Sequence, residues 1–346
     1  MDIGIVEEDR KELTAVCDFF KIDQTKADAA VSKLDNIGLA NKSRRFFEAI
    51  PRGLAELVFS SEAWPQISNR LAEFFEPLPD RLKKRFLERC HECASEVREE
   101  VQARLGDYFL NQLEDKSIFT LEEVQVAKTF SSWAQFDPKP ALSWLKEQSE
   151  RCTLEQLSQF SGREGFGDYR GRRYIVWLCE SLVRFPEYFY ECESILFRLA
   201  LAENEPGIVN NATSIWKSLF WPTLSQVAMP FDDRIRILDH RLKSSDTLAV
   251  KLAIDGAFDL LQPRTIGVAI PARVVGGRLA PDPWRPKSKE EFQCLRSDFA
   301  GRLLELGRHL IGEAKSHFDK AALDNFSTFA AMGLVEELRG CLGDFD

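Results

Sequence analysis

The chain has 346 residues, of which 44% are hydrophobic and 29% are charged, and this balance argues for a folded protein with a water-exposed surface. Its formal net charge of -9 opposes a general attraction to nucleic acid or to an anionic membrane. No run approaches the roughly 20 apolar residues that span a bilayer, and the N-terminal stretch MDIGIVEEDRKEL lacks the basic and apolar segments of a secretion signal. We therefore expect a cytoplasmic protein that binds neither membranes nor nucleic acid.

Apolar residues recur at helical spacing from Glu7 to Leu121, with prolines between the periodic segments. Thr120 and Glu123 match the Thr-x-x-Glu capping box, which predicts a further helix that begins there. Pro138 and Pro140 indicate the start of another. The spacing predicts earlier helices at 7–20, 27–34, 44–50, 64–75, 80–96 and 97–113.

Eight cysteines are scattered through the predicted helices rather than spaced as a disulfide framework, so we expect reduced core residues. Two of them belong to Cys90-His91-Glu92-Cys93, where a C-x-x-C pair beside a histidine could hold a metal ion. A second pair at finger-like spacing is missing, and Phe86 lies nearby on the same predicted helix. We interpret both cysteines as packed in a core and predict no metal site.

The segment from Ser161 to Gly171 contains four glycines and interrupts the helical pattern, which indicates a loop or hinge. We place the internal boundary there. The sequence then predicts N-terminal helical repeats over 1–160 and C-terminal helical repeats over 171–346.

The stretch from Gly171 to Pro222 has the clearest pattern, and it predicts three amphipathic helices joined by short turns. Pro186 begins the second helix, and Asn210 or Asn211 is the predicted N-cap of the third. Such units stack into helical-repeat proteins. We therefore expect an all-α fold, an antiparallel helical-repeat superhelix of the TPR or HEAT type (an α-solenoid) with degenerate repeats.

Helices are next predicted at 232–242, 246–261, 288–312 and 318–342, and the segment 262–287 between them differs in composition. It contains five prolines, three glycines and short β-like runs at 266–270 and 273–275. A non-helical insertion of this length exceeds ordinary connections of about 4 to 6 residues, and such insertions are often functional.

Residues 264–289 carry six basic side chains against Asp282 alone, so this segment is expected to attract an acidic protein surface. Arg and Trp are over-represented among residues that carry binding energy. The alternative is that the insertion folds back over helices, with Trp284 in the core and the charges solvated. The predicted partner-binding residues are Trp284, Arg285, Lys287, Arg278 and Trp221.

Catalytic motifs are missing from the sequence. The P-loop pattern G-x-x-x-x-G-K-[ST] does not occur, and none of the four histidines belongs to a metalloprotease or hydrolase motif. Asp239 with His240, and Glu305 with His309, are typical of surface pairs. The polar cluster formed by 203–205 with Asn210 and Asn211 could bind a ligand, but helix capping explains it more simply. We predict no catalytic residue and no cofactor.

Two blocks of the sequence carry a resemblance to a known family. The first comprises LALAENE from Leu199, NNATSIWKSLF from Asn210 and RIRILD from Arg234, and the second is WRPKSKEEFQCLRSDFAGRLLEL from Trp284 to Leu306. They resemble the C-terminal helical sensor region of bacterial STAND-class, NLR-like antiviral NTPases. That resemblance implies recognition of a foreign, phage-encoded protein and coupling to an NTPase and effector module. It also predicts an upstream nucleotide-binding domain, which this sequence does not contain.

Taken with the predicted fold, these observations favour a macromolecule-binding sensor module that recognises its ligand on a concave face. We do not expect an enzyme. Two alternatives remain: an enzyme whose active site lacks a motif, set in a helical scaffold, and a passive assembly scaffold. An enzyme requires convergent polar groups in one deep pocket, whereas a scaffold requires a broad apolar patch.

Overall fold

The computed structural model of the protein describes residues 3–4, 10–42, 46–50, 52–91, 93, 95–160, 163–164, 168–205, 207–262 and 274–342. Helices account for most of these residues and the strands are short, so the predicted all-α class is confirmed. Their arrangement as a repeat superhelix stays a prediction.

The first half of the chain combines helices with a small sheet. Its elements are β1 (Ile3–Gly4), α1 (Arg10–Phe20), α2 (Gln24–Asn36), β2 (Ala40–Lys42), β3 (Phe46–Ala49), α3 (Arg52–Val58), a π-helical segment (Phe59–Ala63), α4 (Trp64–Ser68), α5 (Leu71–Phe75), α6 (Asp80–Cys90), α7 (Ser95–Leu113), a 3-10 turn (Ile118–Glu122), α8 (Val124–Phe136) and α9 (Pro138–Arg151).

The second half is a succession of helices with two short hairpin ladders. Its elements are α10 (Leu154–Gln159), β4 (Arg163–Glu164), β5 (Asp168–Tyr169), α11 (Gly171–Leu182), a 3-10 turn (Pro186–Tyr188), α12 (Phe189–Leu201), α13 (Ala212–Ser218), α14 (Phe231–Leu242), α15 (Thr247–Leu261), β6 (Val274–Val275), β7 (Arg278–Leu279), α16 (Lys289–His309), α17 (Gly312–Asp324), α18 (Phe326–Ala331) and α19 (Val335–Leu342).

The chain forms two compact units. The N-terminal unit comprises Met1–Trp144, Gly162–Leu178 and Val274–Arg278, and the C-terminal unit comprises Leu145–Ser161, Cys179–Arg273 and Leu279–Asp346. The boundary predicted at the glycine-rich segment 161–171 stays a prediction, and 161, 162 and 165–167 of that segment lie outside the described residues.

The helix predicted over 44–50 is wrong, because part of it is strand β3. This strand pairs antiparallel with both β1 and β2, so that Ala49 lies opposite Ala40 and Phe47 lies opposite Ile3. Adjacent aromatic residues favour a strand when partners are present, and tertiary pairing outweighs a weak helical pattern. The prediction failed because β3 is stabilised by pairing with β1 and β2, which lie outside the segment 44–50.

Three more helix boundaries differ from the predictions. The helix predicted over 64–75 breaks at Asn69, whose side-chain amide donates to the carbonyl oxygen of Pro65 (3.0 Å). The one predicted over 80–96 ends at Cys90. The last, over 318–342, is divided into parts of α17, α18 and α19, with Gly333 in the left-handed region at φ 76° between the latter two.

The predicted capping box at Thr120 and Glu123 is also wrong. Thr120 lies in the 3-10 turn, and Glu123 precedes α8 without a side-chain capping hydrogen bond. The 3-10 turn uses its own backbone bonds, such as the one from the Thr120 amide to the carbonyl oxygen of Ser117 (3.0 Å).

The N-terminal unit is held together by a cluster of aromatic rings. Phe74 and Phe86 meet edge to face at 5.2 Å, and Phe75 contacts Tyr108 at 5.5 Å and Phe109 at 5.6 Å. Such pairs contribute ~0.5–1.5 kcal/mol beyond their buried area. The cluster therefore joins α5, α6 and α7 into one core.

The core of the C-terminal unit is built around Trp216 on α13. Its ring is fully buried and lies 5.0 Å from that of Phe197 and 4.9 Å from that of Phe220. The indole nitrogen donates to the buried carboxylate of Glu193 (2.9 Å). On α15, Gly256 faces this ring so closely that a Cβ atom there would lie 2.9 Å from it.

Candidate functional site

The start of α13 is fixed by its own polar neighbours. The side-chain oxygen of Asn211 accepts from the Ser214 amide (2.8 Å), while its amide nitrogen donates to the Glu205 carbonyl (3.1 Å). The Glu203 carboxylate accepts from the backbone amide of Thr213 (3.0 Å) and from that of Glu205 (3.0 Å). The predicted polar cluster is thus a helix cap, and Asn211 is the predicted N-cap.

Beside this cap lies a cleft of about 630 Å³ within the C-terminal unit, here named the α13 cleft. It is bounded by the end of α11, the outer side of α13, the segment 221–226 and Asp259 of α15. The residues 210–220, which carry part of the family resemblance, therefore supply one of its walls.

Two residues of the segment 221–226 adopt a backbone conformation that is rare for their types. Leu224 has φ 64° and Gln226 has φ 57°, and both line the α13 cleft. A left-handed backbone costs roughly 1–2 kcal/mol per non-glycine residue and clusters at functional sites. The buried Arg184 of the facing wall donates from Nη2 to the side-chain oxygen of Gln226, so Gln226 is held from across the cleft.

Trp221 stands where α13 leads into that segment. It is half-buried, and its indole nitrogen donates to Oδ2 of Asp259 (2.6 Å). Nη1 of Arg234 donates to the carbonyl oxygens of Leu219 (2.7 Å) and Trp221 (2.9 Å). Arg234 is fully buried, and this burial lowers the pKa of its guanidinium to about 9. The C-terminal end of α13 is therefore anchored on both sides.

The walls of the α13 cleft offer hydrogen-bond donors and acceptors together with both signs of charge. Arg184 and Lys217 contribute positive charge, and Glu180 and Asp259 contribute negative charge. Hydroxyl and amide groups of Thr213 and other residues lie between them. None of the described residues that line the cleft is a histidine or a cysteine. This set of groups suits a peptide chain, whose backbone needs donors and acceptors in alternation.

Trp284 makes its contacts with other residues of the C-terminal unit. Its backbone amide donates to the carbonyl oxygen of Val227 (2.9 Å), and its half-buried ring stacks on Phe231 at 5.5 Å with an interplanar angle of 19°. The guanidinium of Arg234 lies 5.6 Å from the same ring. This end of the insertion thus lies against α14 with the Trp284 ring partly accessible, and its role in partner binding stays a prediction.

The basic residues predicted to bind a partner are exposed, but they do not belong to one unit. Arg285 and Lys287 lie in the C-terminal unit, whereas Arg278 of β7 belongs to the N-terminal unit. Of the insertion, 263–273 lie outside the described residues, and with them the predicted β-like run at 266–270. Val274–Val275 form the strand β6, which pairs with β7.

The cysteines are unpaired thiols and most are buried, so the interpretation as core residues is confirmed for Cys90 and Cys93. Burial raises the pKa of the Cys90 thiol, and Cys93 adds to the effect. Among the described residues, no group of three histidine, cysteine or acidic side chains is placed to hold a metal ion. Cys294 is the exposed member of the set.

The histidine pairs singled out in the sequence lie at the surface. Nε2 of His309 lies 3.4 Å from the Glu305 carboxylate, with both side chains more than half exposed. Asp239 instead contacts Arg302 at 3.5 Å. Neither pair lies in an enclosed site.

Several residues of the α13 cleft were not predicted from the sequence. Arg184 follows an apolar run, and a charged residue among core residues is a signal that could have identified it as a site residue. Asp259 gave a similar signal at the end of the apolar helix α15. Leu224 and Gln226 gave none, because neither is a type that favours a left-handed backbone.

No family model, curated protein or solved structure matches the chain. Within the described part of the sequence, no helix is both long and apolar enough to cross a membrane. The resemblance to STAND sensor regions therefore depends on its two sequence blocks, of which the first supplies one wall of the α13 cleft.

Proposed function

We propose that the chain is a macromolecule-binding sensor module that recognises a foreign protein by receiving one of its loops in the α13 cleft. The carrying observation is the cleft itself, with its polar walls and its two left-handed residues, of which Gln226 is bonded by Arg184. A volume of about 630 Å³ lies in the range of ligand sites and admits a short peptide segment.

Recognition follows from the groups on the walls. Side chains such as Thr213 and Ser218 offer hydrogen bonds to the backbone of an entering loop, and Lys217 and Asp259 select its charges. Trp221 supplies an aromatic surface whose polar tip is already bonded to Asp259. Because the caps of α13 fix these groups in advance, little ordering entropy is lost on binding.

The exposed Arg285 and Lys287 serve a different purpose in this proposal. They add positive charge to a chain of net charge -9, which accelerates encounter with an acidic partner at low ionic strength. Two further parts of this proposal come from the family resemblance. The ligand is a phage-encoded protein, and an NTPase and effector module responds to the bound state. Stacking of the helices into a repeat superhelix with a concave face belongs to the same proposal.

The test is a matched pair of charge reversals in a partner screen. The full chain is screened against a library of displayed bacteriophage proteins, and the member that binds is titrated against Lys217→Glu and Lys251→Glu. Both lysines belong to the C-terminal unit and contact an acid, Asp255 at 3.8 Å and Glu313 at 2.6 Å, but only Lys217 lines the cleft. We expect Lys217→Glu to weaken binding about tenfold or more, as for a charge in contact with the ligand.

Lys251→Glu is expected to leave the affinity within about twofold, and circular dichroism confirms that both variants fold. If no phage protein binds the full chain, or if the two variants weaken binding equally, the proposed function or its site is wrong.

A further inference from the structure

The N-terminal unit contains a second concave space that the proposed function does not use. It is a cavity of about 150 Å³ next to α3 and the π-helical segment, here named the α3 cavity. Carbon atoms make up most of its wall, and a cavity of this size and lining takes up small apolar molecules such as benzene in other proteins. Its main apolar lining residues are Phe20, Phe59, Ile67, Phe74 and Phe86.

The space exists because small residues stand where larger ones would fill it. Ala49, Ala55 and Ala63 all face the cavity, each from a different element of the unit. The π-helical segment Phe59–Ala63 widens the turn between α3 and α4, and such segments recur at functional sites. A protein interior is otherwise packed to crystal density, and a space of this size is large enough to take up a small guest molecule.

Among the residues that the structure describes, three charged side chains line the otherwise apolar wall. Nη2 of Arg89 and Oε1 of Glu48 form an ion pair at 2.6 Å. Glu56 is half-buried and makes no hydrogen bond or ion pair with the described residues. Arg98 lies next to Cys93, a lining residue, but it does not itself line the cavity. It donates to the backbone carbonyl oxygens of His91 and Cys93. The described residues of the lining therefore carry a formal charge of -1.

We propose that the α3 cavity binds a small apolar amine, with an apolar body of about the size of benzene and one ammonium group. The body lies among the phenylalanine rings, and the ammonium donates to the Glu56 carboxylate. Aromatic faces within reach of the ammonium add a cation–π attraction. A carboxylate ligand is disfavoured because Glu56 repels it while Arg89 is engaged by Glu48. A pure hydrocarbon is also disfavoured, because it offers no hydrogen-bond donor to the half-buried Glu56 carboxylate.

Benzylamine, benzyl alcohol and benzoate test this proposal, because they share one ring and differ in charge. Each is titrated into the full chain, and binding is followed by isothermal calorimetry and by the shift in Tm. We expect benzylamine to bind about tenfold more tightly than benzyl alcohol, as for one charge-assisted hydrogen bond, and benzoate to bind most weakly.

Two variants and a control assign the binding to the cavity. Glu56→Gln is expected to remove the tenfold preference for benzylamine, and Ala63→Leu fills the space and abolishes binding of all three compounds. Glu62→Gln is the matched control, since Glu62 lies in the same π-helical segment, is exposed and does not line the cavity.

The proposal is overturned if none of the probes binds, if benzyl alcohol or benzoate binds as tightly as benzylamine, or if Glu62→Gln acts like Glu56→Gln. Should Ala63→Leu fail to fold, the comparison of Glu56→Gln with Glu62→Gln decides the question alone.

Discussion

The α13 cleft and the α3 cavity are both concave, but they are made from different parts of helices. The cleft forms around the ends of α11 and α13, where caps and chain turns expose polar groups. The cavity forms between helix faces and strand β3, where most of the exposed atoms are carbon. The part of a helix that borders a space thus decides whether that space offers hydrogen bonds or apolar contact.

Packing behind the two spaces differs as well. The far side of α13 is closed by Trp216, which leaves no room even for one methyl group at Gly256. In the N-terminal unit, alanines at 49, 55 and 63 leave the wall of the cavity unfilled. The C-terminal core is therefore expected to tolerate neither loss nor gain of volume near α13.

The largest effect is expected from Trp216→Ala. This change removes a fully buried ring together with its hydrogen bond to Glu193, and such truncations cost about 3–5 kcal/mol of unfolding free energy. Urea denaturation followed by circular dichroism measures the loss. Trp284→Ala is the control, because its half-buried ring should cost clearly less. Equal losses for the two tryptophans would contradict the description of this core.

A smaller loss is expected from Gly256→Ala. The new methyl group would lie 2.9 Å from the Trp216 ring, and overpacking of this kind costs about 1–3 kcal/mol. Gly301→Ala is the matched control in α16, since a Cβ atom there would meet no described atom within 4 Å apart from the neighbouring residues and backbone of its own helix. There the better helix former is expected to add about 0.5–1 kcal/mol. A stabilising Gly256→Ala, measured in the same urea titration, would show that the core has spare volume.

The smallest effect depends on whether water is excluded from the aromatic cluster of α5, α6 and α7, part of which lines the α3 cavity. Burial beside Phe75 raises the pKa of Tyr108 to about 12, and the Glu76 carboxylate adds to this effect. Between pH 10 and pH 12 the unfolded chain therefore loses this proton while the folded chain keeps it, so stability falls as the pH rises. After allowance for solvent screening, the loss is on the order of 1 kcal/mol.

This part of the pH dependence is measured by denaturation at pH 9 and pH 11. Tyr108→Phe should reduce the fall in stability, whereas Tyr190→Phe, whose side chain is 55% exposed, should leave it unchanged. If Tyr108→Phe behaves like the wild type, water reaches the cluster and the contrast between the two regions is weaker than described.

Local signals were sufficient for much of the fold. The helices that begin at Phe189, Ala212 and Phe231 follow a proline, an asparagine cap and a second proline, and each was predicted within a few residues. Strand β3 was missed because its stability comes from β1 and β2, which no periodicity within 44–50 reveals. The break at Asn69 was missed for a different reason, since its cause is local: the Asn69 side chain competes for a helix carbonyl.

The candidate sites were predictable only in part. The sequence predicted Asn211 as a helix cap and Trp221 as a partner-binding residue, and both line the α13 cleft. The left-handed backbone at Leu224 and Gln226 depends on tertiary contacts such as the one with Arg184, so no local pattern announces it. The α3 cavity is a deficit of volume, and a sequence shows which side chains are present but not how closely they meet.

The exposed thiol of Cys294 makes the natural chain a reporter for its own binding reactions. Six of the eight cysteines are buried and Cys152 is half-buried, so a maleimide fluorophore should attach first to α16, a few residues beyond Lys287. A hydrogen bond to Asp298 raises the pKa of this thiol, and labelling is therefore expected to be faster at mildly alkaline pH. A dye at this position reports on the basic segment without any substitution in the sequence.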